Sequence, residues 1–167
     1  NYPGTSVTDN QLRAWNNIGL FDTPLSESNI ANYDKLVSVT NTSADLTYRV
    51  RSYLDANCAQ CHRPGGVQAF WDARYDTPLT SQSIINGNVA NTLGIIGAKE
   101  VVPQDIARSI MHQRVNSLDP AIKMPPLARN LIDTDAVAAL TEWINALTPS
   151  GTNAPPALAA VSNRVLL

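Results

Sequence analysis

The side chains with the most chemical potential are gathered in one short run, Asn57-Cys58-Ala59-Gln60-Cys61-His62. It holds the chain's two cysteines and one of its two histidines. Cys-x-x-Cys-His is the spacing used to attach a c-type haem. On a helical turn, residues i, i+3 and i+4 share a face. Two thiols so placed reach the two vinyl groups of one porphyrin, and His62 points its imidazole at the iron. Thioether bonds then fix haem c covalently, so a small chain can hold it with an edge exposed. Other uses of the pair fit less well. A thioredoxin-like redox pair needs a βαβ setting, and none is visible. Structural zinc needs four ligands, and His112 lies 50 positions from His62. A Cys58–Cys61 disulfide would suit an exported protein, but a three-residue helical step gives it poor geometry.

A haem iron bound by His62 needs a sixth ligand or a vacancy. The available side chains are Met111, Met124, His112 or a Lys. Met124 sits in Lys123-Met124-Pro125-Pro126, where the prolines stiffen the loop and remove competing N–H donors. Such a loop can hold a thioether against a metal that binds it weakly, and Met ligation raises the reduction potential. The expected metal ligands are therefore His62 and Met124. Met111 is expected to line the pocket or the core, and His112 to face solvent or make an ordinary hydrogen bond. Haem propionates call for Arg, Trp or Tyr donors. Arg63, Trp71, Arg74, Tyr75, Arg108 and Arg114 are available. A backbone carbonyl should hold the His62 Nδ1–H.

The surrounding pattern is helical. Thr8 and Gln11 form a capping-box pattern for a first helix, with Val7 and Leu12 as its staple and Gly19 as its stop. Residues 20–43 read as irregular. A second helix starts near Ser43 or Ala44, has Asp45 in its first turn, and carries Leu46, Val50, Tyr53 and Leu54 on one face into the motif. A short helix is expected around 80–86, and another over about 104–115, started by Pro103. The last runs over about 134–147, capped by Asp133, with Val137, Leu140, Ile144 and Leu147 as its stripe and Trp143 beside it. Residues 150–167 read as a linker or tail.

Composition narrows the classes further. The chain has 167 residues, 44% hydrophobic and 16% charged, with net charge -2. Asn, Thr and Ser (16, 13 and 12) make up much of the polar surface, which leans towards export. With 12 Lys and Arg spread along the chain, the basic patch that nucleic-acid binding requires is missing. No apolar run is long enough to span a membrane. The start, Asn1-Tyr2-Pro3, is read as that of a mature protein or an excised domain.

Cys58–His62, then Met124-Pro125, then a Trp-bearing last helix resemble class I c-type cytochromes. The resemblance implies an all-α, cytochrome c-like fold around one covalent haem, with long loops and an N-terminal extension. The helix before the motif would pack on the last helix. The implied organisation is an extension wrapping the core (1–43), a cytochrome c core (44–148) and a linker or tail (149–167). The words Arg49–Gly66, Trp71-Asp72-Ala73-Arg74 and Lys123–Leu127 resemble haem modules of large exported bacterial proteins, and on this resemblance Arg74 is the preferred cofactor-binding residue for a propionate. Such modules are joined to sugar-dehydrogenase-like or carbohydrate-binding domains. The implied function is single-electron transfer between redox proteins, not enzymatic catalysis, in a periplasmic or extracellular setting. A secreted sugar- or polysaccharide-active oxidoreductase is the implied partner, and the chain would be a monomer or a domain of a larger protein. The alternative is a haem enzyme or gas sensor with a labile sixth ligand. A third reading, a haem-free binding or structural domain with a disulfide, predicts a colourless protein.

Overall fold

The computed structural model describes residues 8–67, 69–127 and 129–149. Residues 150–167, expected to form a tail, and Val7 of the expected staple lie outside them. Among the described residues the regular elements are helical. Extended segments meet only as isolated bridges, Ile85 with Val101, Lys99 with Ser109, and Val102 with Asp105. The chain forms two compact units, Asn1–Lys35 and Leu36–Leu167.

In the first unit, α1 (Gln11–Asn17) is capped by Asn10, whose side chain accepts from Leu12 N. The expected cap, Thr8, lies two residues too early. Gly19 does stop the helix: at φ +70 it turns the chain, and Leu20 N–H returns to Trp15 O at 3.0 Å. Residues 20–43 are not wholly irregular, because α2 (Glu27–Asn32) forms there with Ser26 as its cap. The pairing of α1 with α2 gives this short helix its support. Arg13 Nη2 meets Glu27 Oε2 at 2.9 Å. The Asn16 side chain binds the Leu25 backbone in both directions, at 2.8 and 2.9 Å.

The second unit contains α3 (Leu46–Cys58), a single 3₁₀ turn (Leu79–Ser81), α4 (Ile110–Val115) and α5 (Thr134–Ala146). Asp45 is the N-cap of α3 rather than a first-turn residue, accepting from Tyr48 N. Asp133 caps α5 as its sequence position indicates, accepting from Ala136 N. The apolar stripes meet: α3 packs on α5, and Val50, Leu54, Leu140, Trp143 and Ile144 are buried in one core with Trp71, Ile84 and Val101. Trp143 also places its Nε1–H 3.3 Å from Thr47 Oγ1 on α3.

The middle of this unit departs from the sequence pattern. The expected 80–86 helix shrinks to the 3₁₀ turn, and the expected 104–115 helix begins only at Ile110. Residues 104–109 have other uses for their backbone. Gln104, at φ +60, gives its N–H to Ile144 O on α5 at 2.9 Å. Arg108 O accepts from Lys99 N at 3.1 Å, and Lys99 O accepts from Ile110 N at 2.9 Å. Ile110 N–H and Arg108 O are groups a longer helix would use, and the left-handed Gln104 cannot belong to one.

Candidate functional site

The motif follows directly from the end of α3. The Cys58 carbonyl accepts from Cys61 N at 3.0 Å and from His62 N at 2.8 Å, so the helix closes in a tight turn. The chain then folds back, with Val67 N–H on Cys61 O at 3.0 Å. Gly66 is required there, because a Cβ at this position would lie 2.0 Å from the Cys61 carbonyl oxygen. His62 O is held in turn by Ala73 N–H at 2.8 Å. The imidazole stacks on Trp71, with ring centroids 4.4 Å apart and planes 24° apart.

This turn forms one wall of an open cleft of about 640 Å3, counting the space that opens to solvent. Cys58, His62 and Trp71 line one part of it. The chain also brings Met124, Met111 and Arg114, Val89 and Ala90, and Glu100 to the same space. Apolar side chains including Phe70, Ile110 and Val115 complete most of the lining.

Three of the five residues expected to bind the haem, Cys58, His62 and Met124, thus share one cleft. Cys61 does not line it and is exposed. Both cysteines are free thiols. Burial, then the nearby Glu100 carboxylate, push the Cys58 thiol up to about 12. Thiol redox chemistry needs the opposite, a depressed pKa that yields thiolate. Burial, and then Arg114, lower the pKa of His62, keeping the neutral imidazole that binds metals. The expected carbonyl partner of His62 Nδ1 is missing among the described residues: Nδ1 is buried and unpaired.

The other expected residues divide. Met111 lines the cleft and is buried, and Arg114 and Trp71 line it too. Arg74 does not. Its Nε and Nη2 hold the Asp72 carboxylate, at 3.0 and 2.7 Å, and this pairing drives Asp72 down to about 2. Arg108 is paired with Asp105 at 2.6 Å. His112 is buried behind the cleft lining and bonds Thr141 Oγ1 through Nε2 at 2.9 Å.

Sequence reasoning missed Glu100. It is only 7% exposed and lines the cleft. Burial raises it to about 7, against the opposing pull of Arg114. In Lys99-Glu100-Val101-Val102 nothing in the spacing ties it to the motif; only its place among apolar residues hints at burial. Among the described residues no cluster of three or more His, Cys, Asp or Glu side chains is arranged to hold a bare metal ion. No helix among the described residues is long and apolar enough to cross a membrane. No protein-family model, curated protein or solved structure matches this chain.

Proposed function

We propose that this chain is a mono-haem c-type cytochrome, with a cytochrome c-like fold, that carries single electrons between redox proteins. One observation carries the reading: Cys58, His62 and Met124, separated by up to 66 positions in the sequence, line a single, mostly apolar cleft. The cleft residues suit the group. Cys58 and Cys61 would hold it by thioethers, with Cys61 turning inward from its exposed position. His62 and Met124 would hold the iron, with His62 stacked on Trp71. Arg114 is the cationic side chain lining the cleft and the best-placed partner for a propionate. When bound, the haem supplies the one-electron Fe(III)/Fe(II) couple. The protein's part is to keep both ligands in both states and to limit water in the apolar cleft. The setting is periplasmic or extracellular, where c-type attachment takes place. The partner is a redox protein met in a weak encounter, a secreted sugar- or polysaccharide-active oxidoreductase being the reading favoured by the resemblance.

Glu100 favours a second reading. A carboxyl poised near 7 on the cleft is the acid–base group a haem enzyme or gas sensor would need. One set of optical spectra separates the two, taken on protein made in a host that attaches haem. Sharp low-spin reduced bands, a far-red Met-to-Fe(III) band and no uptake of carbon monoxide are expected for the carrier. High-spin bands or immediate carbon monoxide binding would give the site to the second reading. A colourless protein would overturn both.

A further inference from the structure

Arg129 plays no part in the motif or the cleft lining, yet its guanidinium bonds the segment that carries Met124. Nη1 donates to the carbonyls of Met124 and Arg114. Nη2 donates to Val115 O, and Nε to Leu131 O at 3.3 Å. Arg114 and Val115 close α4, where carbonyls lack helical partners. One side chain thus joins the end of α4, the Met124 peptide and the chain beyond it.

The Met124 backbone is held on both sides. Its N–H donates to Arg114 O at 3.1 Å, and its carbonyl accepts from Arg129. Arg114 Nη1 fixes Ile122 O at 3.0 Å, and Lys123 Nζ fixes Arg129 O at 2.8 Å. Pro125 and Pro126 have no N–H to offer, so the turn after Met124 cannot anchor itself with backbone donors. Only a guanidinium presents several donors in a rigid plane; an ammonium is a compact point charge on a flexible stem.

We propose that Arg129 is a positioning residue that holds Met124 against the cleft by clamping its peptide to the end of α4. The inference rests on the His62/Met124 reading. A thioether binds iron weakly, so the clamp decides how much of the time Met124 is in place. Hydrogen bonds to a charged donor are among the strong ones, so loss of the clamp should shift that equilibrium about tenfold or more.

The test compares haem-loaded wild type, Arg129→Ala and Arg129→Lys. Three quantities are read: the far-red Met-to-Fe(III) band, the reduction potential, and the affinity of the oxidised protein for imidazole, which competes with Met124. In Arg129→Ala the band should weaken or vanish and the potential should fall, since Met ligation raises it. Imidazole should bind about tenfold tighter or more, by the equilibrium shift above. Arg129→Lys should fall between, and it decides the matter if the alanine variant does not fold. Variants that fold with wild-type band, potential and imidazole affinity would overturn the clamp and leave the ligand assignment standing. A wild-type protein without the far-red band would overturn both.

Discussion

At His112 the direction of a hydrogen bond can be worked out from its partner. Thr141 Oγ1 donates its single proton to Val137 O at 2.7 Å, so it must accept from His112 Nε2–H. Nδ1 is then the bare nitrogen, buried without a partner, and protonation would bury a second N–H with no acceptor. Burial accordingly lowers the pKa of His112. Below the ordinary value of 6.5, the unfolded chain takes up a proton that the folded chain refuses, so stability falls as pH drops through that value. Between pH 7 and pH 5, urea unfolding should show the wild type losing stability relative to His112→Gln. Glu100 acts in the opposite sense. Its carboxyl is raised from 4.5 to about 7, so the folded chain holds the proton longer and stability is lost as pH rises through that interval. Glu100→Gln should therefore stabilise the protein at pH 8 by about 3 kcal/mol relative to its effect at pH 4. Equal effects at both pH values would show that the carboxyl is not held protonated. Gly66→Ala should cost about 1–3 kcal/mol by forcing the motif turn open. It should also lower the yield of haem-attached protein, read as Soret absorbance per chain.

Among the elements, the α3–α5 pair carries most of the argument. Capping aspartates begin both helices, and their apolar stripes were legible because a 3.6-residue period places Val50 with Leu54 and Leu140 with Ile144 and Leu147. Trp143 lies at their junction, 2% exposed and bonded to Thr47. Trp143→Ala should destabilise by about 3–5 kcal/mol, seen as a lower urea midpoint. A much smaller loss would mean that the two helices repack without the ring. The pattern misled over 104–109, where Pro103 and Ile106 suggest a helix. Propensity lost there because α5 and the Lys99 segment took the backbone groups. α2 was missed for the opposite reason: six residues show too little period to register, and its stability comes from pairing with α1.

For the molecule as a whole, all the cleft residues lie in the second unit. A chain beginning at Leu36 should therefore keep its helical content and, under the proposed function, the visible spectrum of the full protein. Circular dichroism and an optical scan check both, and loss of the low-spin bands on truncation would show that residues 1–35 complete the site. The unit boundary falls before Val39, whose carbonyl accepts from Arg49 Nε at 2.9 Å and which packs on the core. Residues 36–43 thus pack with α3 and its neighbours.

What the sequence determined by itself is whatever depends on near neighbours: the motif turn at Cys58–His62, the cap at Asp133, and the stripes of α3 and α5. Helical period and capping are local rules, readable without knowing where the chain goes next. Met124 could be named as a ligand from its prolines and its distance along the chain, but its place in the His62 cleft is a tertiary fact. Only the folded chain brought Glu100 and Arg114 to that cleft, turned Arg74 towards Asp72, and set Arg129 on the Met124 carbonyl. Each of these depends on which unsatisfied carbonyls, carboxylates and apolar walls meet in space. Residue spacing along one element carries no record of that meeting.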